Sequence, residues 1–376
     1  MTDRTPALPP WATARLDEIR VMLAHSRFEE TIELAAECGD RAAAEGDLAA
    51  WGRFTSFRST ALTRLGLPRE ALALADEVAA SATAERDAGL VVEAACSGAL
   101  AAYRVPDDDA MLARLDVALA EAEVLLAESG GTEALGKAAI VAGACGVADL
   151  GDALFTRILA AARDLDGDVS PRALLWIRAN HTMARLQQAL QAEHGGAPER
   201  AAELFGQCAG MCRALVGSLP DPSLLPPKPA ASLQAIEGFA LAALGRTEEA
   251  APLLDACTSA LGGPFETLTA TIEVLHGAAG LRTGTVPTDD AWREATRLAA
   301  LAQRTGEARL EAEIWHRAAR RAAAGARSAI AHDRFTALAE RLDWRRRLHG
   351  AHLVGFRSAT LRLVAQDEVT DPARGT

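Results

Sequence analysis

The sequence predicts an all-α fold: a superhelical array of antiparallel helical hairpins that ends in a long C-terminal helix. Three observations predict it. Alanine fills much of the 49% hydrophobic content, while aromatic residues make up only 4%. Alanine is the best helix former and a poor strand former, so an Ala and Leu core suits close-packed helices. Apolar residues also recur at helical spacing, and a unit of helix, Gly or Pro turn, and helix returns along the chain.

The chain has 376 residues. At about 100–200 residues per domain, that allows two or three compact domains or one elongated array. Charged residues are 24% and the net charge is −12, which argues against general affinity for nucleic acid or an anionic membrane. The charge is uneven, because Arg304 to Arg362 holds thirteen Arg against six Asp or Glu. Only Lys137 and Lys228 are lysines, a bias that base composition explains without function. The six cysteines, Cys38, Cys96, Cys145, Cys208, Cys212 and Cys257, show no framework spacing, which fits a reducing cytoplasm. The N-terminal stretch has no signal-peptide core, and no apolar run has membrane-spanning character. A cytoplasmic protein is expected.

The clearest unit is Ala50–Ala80. Its first helix carries Trp51, Phe54, Ala61, Leu62 and Leu65 on one face. Gly66 and Pro68 punctuate it, since Gly ends a helix well and Pro is tolerated in the first turn of the next. Ala71, Leu72, Ala75, Val78 and Ala79 then line a second helix. The grammar returns at Ile236–Leu261. There Leu244-Gly245 closes one helix, Thr247 is the expected N-cap, and Glu248-Glu249 complement the dipole. Weaker copies are Arg27–Ala42 and Gly196–Leu215. Between them, Ala88–Tyr103 is expected to pair with Asp108–Glu128, Glu133–Cys145 with Asp149–Asp164, and Pro171–Gln191 with Pro198–Leu215. Pro264–Arg282, Asp289–Gln303 and Ala308–Ala324 follow. Gly217–Ala230 holds five prolines and cannot be helix throughout. It reads as a connector at 217–230 between subarrays at 1–216 and 231–325, with the long helix over 326–370.

These segments resemble divergent tetratricopeptide repeats. Trp51, Gly66, Glu70-Ala71 and Ala75 match the family roles in one unit, and Gly238, Leu244-Gly245, Glu249-Ala250 and Leu253-Leu254 in another. The resemblance implies a right-handed superhelix with a concave binding groove. The first helix of the Trp51 unit is about one turn longer than a 34-residue repeat allows. The final residues, LRLVAQDEVTDPARGT, resemble the signalling helix that leads into a GGDEF-type diguanylate cyclase domain. Asp367, Val369 and Thr370 fit that junction. Asp371-Pro372 replaces the expected Gly-apolar pair and no GGDEF motif follows, so no cyclase activity carries over.

Several constellations could carry chemistry. Cys208 and Cys212, four apart, suit two soft metal ligands, but read better as buried core. His349 and His352 lack acidic companions and read as a solvated face. Asp164–Asp168 has Leu175 where a calcium loop needs its bidentate Glu. No phosphate loop, nucleophile elbow or zinc-protease motif is present. No cofactor or metal is expected.

The expected function is therefore binding: a scaffold or regulatory sensor holding a peptide or protein in the groove. A small-molecule-binding regulator is the alternative, and a helical enzyme with an inner pocket the second. Groove candidates are the polar or aromatic residues in otherwise apolar helices: Arg53, Arg58, Tyr103, Trp176, Asn180, His181 and Gln187. Arg341, Trp344, Arg345, Arg346 and Arg347 form a basic C-terminal patch, most simply a solvated one, since Arg beside an aromatic otherwise suits a phosphate-rich ligand. The last helix could also pair with another copy as a homodimer.

Overall fold

A computed structural model describes residues 8–24, 27–85, 87–105, 107–129, 132–145, 147–164, 171–217, 227–261, 267–321 and 325–342. Every regular element among them is helical, with no strand. The first half comprises α1 (Pro10–Ala24), α2 (Phe28–Glu45), α3 (Leu48–Leu65), α4 (Pro68–Glu85), α5 (Ala88–Arg104), α6 (Asp108–Ser129), α7 (Thr132–Ala144) and α8 (Ala148–Asp164). The second comprises α9 (Pro171–His194), α10 (Pro198–Gly217), α11 (Pro227–Ala243), α12 (Thr247–Cys257), α13 (Thr267–Thr283), α14 (Thr288–Thr305) and α15 (Ala308–Arg321). Residues 326–342 form α16. No described helix is long and apolar enough to cross a membrane.

Helix ends follow local chemistry. Asp47 and Asp87 cap α3 and α5, each side chain accepting a backbone N–H three residues on (2.9 and 3.0 Å), the usual satisfaction of an orphan donor. Gly66, at φ 84°, ends α3 in a left-handed turn, which costs glycine nothing. Pro68 opens α4 and Pro227 opens α11, where the missing N–H is harmless. So α11 begins inside the expected connector at 217–230, whose residues 218–226 lie outside the described ones. Thr247 is not the cap of α12. It is the first helical residue, and Arg246 takes the cap position, held there by two hydrogen bonds to Glu249 (both 2.6 Å).

Consecutive helices pack on each other along the chain. Odd-numbered helices also touch the next odd-numbered helix: α3 with α5, α5 with α7, α7 with α9, α9 with α11, α11 with α13, and α13 with α15. No comparable pairing joins even-numbered helices among the described residues. The odd helices thus form one row and the even helices flank it. Small residues permit the close approach. A side chain at Gly52 of α3 would strike Leu90 of α5, and one at Gly277 of α13 would strike Leu298 of α14.

The apolar core runs as clusters along the stack. Phe54, Phe155, Phe205, Phe239 and Trp315 are its largest enclosed side chains, each stabilising by about 1.5–3 kcal/mol. One cluster extends from Leu186 of α9 through Leu204, Ile236 and Leu298 to Ala331 of α16, so helices on both sides of 217–230 share a core. All six cysteines are buried.

Candidate functional site

On α3, α5 and α9 of the odd row, one helical stripe is mostly polar. On α3, Arg53, Thr60 and Arg64 are spaced by seven and four residues. On α5, Glu93, Leu100 and Arg104 repeat that spacing, and on α9 so do Asn180, Gln187 and Gln191, with His194 next. This spacing keeps a single helical stripe. A ladder of charge crosses three odd helices, because Glu93 lies 3.7 Å from Arg53 and 2.6 Å from Lys137 of α7.

The corner between α14 and α15 sits across this stripe. Arg64 donates to the Thr305 carbonyl (3.1 Å). Arg104 donates to the carbonyls of Gln303 and Arg304. These oxygens are among the last of α14, where a helix leaves its carbonyls without partners and carries partial negative charge. From α9, Gln187 donates to the Glu307 carboxyl (3.1 Å), and Gln191 accepts from Arg309 (3.1 Å). Gly306 makes the corner at φ 86°, and a side chain there would also meet Arg104 at 3.0 Å. A cleft remains between α3, α5 and the corner, lined by Thr60, Thr63, Leu100 and Tyr103 beside the two arginines. No apolar cluster joins α3 or α5 to α14 or α15 among the described residues. The seam is polar.

Burial shapes its electrostatics. It pushes the Glu307 carboxyl above its ordinary range, against the pull of Gln187, Arg64 and Arg104. Burial likewise raises Glu311. It lowers Arg64, helped by the neighbouring charge of Arg104.

Beyond the seam, a second constellation ties α9, α13 and α15 together. Glu313 is fully buried. It accepts from Arg282 (2.7 Å), Arg317 (2.7 Å) and His194 Nε2 (2.9 Å). Glu193 accepts twice from Arg282 (2.8 and 2.6 Å) and once from Arg317 (2.6 Å). Burial alone would raise the Glu313 carboxyl, but the His194 hydrogen bond and both guanidiniums outweigh it and hold Glu313 well below the carboxylate range. Glu193 is lowered too, burial being overcome chiefly by Arg282. Next to this group, His316 is pushed down to about 4, first by burial and then by Arg317, against Glu313. Phe335 of α16 covers both histidine rings (centroids 5.2 and 4.6 Å). Two carboxylates matched to two guanidiniums are a structural clasp, since a buried charge persists only when paired.

The expected groove residues divide. Arg53 and Gln187 lie on the stripe, Asn180 shares its register, and Tyr103 lines the cleft. Arg58 does not. Five residues from Arg53, it is turned by about 140° toward the side where Trp51 and Thr55 approach Gly39 of α2. His181 is turned away as well: it is bonded to Asp152 of α8 (2.8 Å) and stacked on Phe155. The side chain of Trp176 lies outside the described residues, as do Trp344, Arg345, Arg346 and Arg347. Arg341 is partly exposed on α16. Cys208 and Cys212 sit in the core, with Cys208 facing the Thr182 carbonyl (3.4 Å), and no group of three or more candidate metal ligands occurs among the described residues.

Sequence reasoning missed Arg64, Arg104, Glu93 and the whole Glu313 clasp. The available signal for the clasp was Glu313 itself, an acid set between Leu310 and Ile314 on an apolar helix face.

No protein-family model matches the chain, and no curated protein matches it.

Proposed function

We propose that the chain is a tetratricopeptide-like binding module: a helical-repeat superhelix whose odd-numbered row is the concave face, acting as a cytoplasmic scaffold or regulatory sensor. One observation carries the reading. The same seven-and-four spacing sets polar side chains on one face of α3 and α9, and on α5 places Glu93 and Arg104 in that register with Leu100 between them. A face meant only for packing would be filled with apolar residues. Stacked helices offer such a face at little ordering cost, which favours binding.

A peptide or protein is the partner such a groove ordinarily suits. A second reading, a small-molecule-binding regulator, draws support from the α14–α15 corner. Because that corner lies across Arg64, Arg104 and Gln187, an extended chain would have to lift it wholly, whereas a small group beside the cleft would need only a local shift.

Native mass spectrometry of gently purified protein separates these. A co-purified polypeptide lost on Asn180→Ala and Arg53→Ala supports the scaffold. A bound small molecule with no polypeptide supports the regulator. Bound species that both substitutions leave unchanged would remove the groove from either reading.

A further inference from the structure

We propose that the cleft between α3, α5 and the α14–α15 corner binds a small oxyanion, the phosphate or carboxylate of a metabolite-sized molecule, between Arg64 and Arg104. This deepens the binding-module reading and rests on it.

The argument starts from unmatched charge. Arg53, Arg114, Arg185, Arg282 and Arg317 each lie within ion-pair distance of a carboxylate. No such pair forms at Arg64 or Arg104 among the described residues; their hydrogen bonds go to neutral carbonyls at the end of α14. A helix C-terminus presents roughly half a negative charge, and here it faces two full positive ones. Capping a helix end gains far less than desolvating a guanidinium costs. Arg64 feels that cost, as burial and Arg104 together lower its pKa. The carboxyl that interacts with both, Glu307, is itself held toward its neutral form by burial. The cleft is therefore under-neutralised.

The chemistry of the pair selects the ligand. Two planar guanidiniums present N–H forks that match the oxygens of carboxylate and phosphate. Leu100 and Tyr103 wall the cleft, whose free volume of about 20 Å³ admits little more than one water while the corner is seated, so the anion is admitted as the corner shifts. The oxyanion would take N–H donors that now serve Gln303, Arg304 and Thr305, so its binding would loosen the corner from α3 and α5.

The test is calorimetric titration with inorganic phosphate and, separately, succinate, at fixed ionic strength. The proteins are wild type, Arg64→Gln, Arg104→Gln, and the control Arg293→Gln, whose side chain is 83% exposed near the start of α14, the other end of that helix from the cleft. The expected result is saturable binding of one probe to wild type and control, weakened at least about tenfold in each cleft variant. The probe that binds identifies phosphate or carboxylate. Should Arg64→Gln misfold by circular dichroism, Arg104→Gln decides alone. Equal binding in all four proteins, or saturable binding of neither probe, overturns the proposal. The wider reading fails separately: a co-purified ligand kept by Arg104→Gln but lost on Asn180→Ala leaves the binding module standing and removes only the oxyanion site.

Discussion

Replacing Glu313 with glutamine tests whether the buried clasp holds the second half of the chain together. The carboxylate is fully buried and accepts three charge-assisted hydrogen bonds, from Arg282, Arg317 and His194. Breaking a buried ion pair by removing one partner costs about 3–5 kcal/mol. Two features place the cost at the lower end. Glutamine keeps one accepting oxygen, and Glu193 still pairs with both guanidiniums. The expected loss is about 3 kcal/mol, read from urea unfolding followed by circular dichroism at pH 7. The pH dependence is a second readout. The folded pKa of Glu313 lies below its unfolded value. Its contribution is therefore full above the unfolded pKa of about 4.3 and is lost as pH falls through the folded one. The stability gap between wild type and Glu313→Gln should narrow below about pH 4. A loss under about 1 kcal/mol, typical of a solvent-screened pair, or a gap that stays constant into acid, would refute the reasoning.

Three further outcomes are expected. Because His316 is pushed down to about 4 in the fold, the unfolded chain binds its proton first, so stability declines as pH falls from about 6.5 toward 4. After discounting for its half-exposed ring, this slope is worth about 1–2 kcal/mol, and His316→Asn should flatten it in pH-dependent urea melts. Gly306→Ala should cost about 1–2 kcal/mol for its left-handed turn plus crowding against Arg104, whereas Gly46→Ala, with open space around it, should cost only the turn; equal losses would deny the crowding. Cys96 is enclosed and its thiol is pushed up to about 12 by burial, so a disulfide-exchange reagent at pH 8 should label it only on unfolding, as peptide mapping of the labelled site can show.

The fold was legible where the chemistry is local. Gly66, Pro68 and Leu244-Gly245 mark helix ends because stopping a helix depends on a few neighbouring residues. Thr247 was misplaced by one position because Arg246 reaches Glu249 and takes the cap itself, a detail periodicity does not carry. Arg64 and Arg104 passed unnoticed for a physical reason. Each stands in the last turn of its helix, where the dipole already accounts for a cation. Their actual acceptors lie 241 residues away for Arg64 and 199 and 200 residues away for Arg104. His181 and Asn180 are neighbours in sequence, yet consecutive helical residues point about 100° apart. Composition alone could not tell which faced the α8 interface.

The seam between α3, α5 and the α14–α15 corner also bears on how the molecule comes apart. In a stack whose units touch only their neighbours, loosening starts at either end and travels inward, and a lost terminal unit is felt only next door. Here α3 and α5 hold the end of α14, so helices late in the chain cannot loosen without disturbing ones near its start. Forming that grip requires ordering some two hundred intervening residues, an entropic toll that slows folding. Once formed, it makes distant units answer to one another: trimming the chain from its C-terminal side would be felt at Arg64, near its beginning.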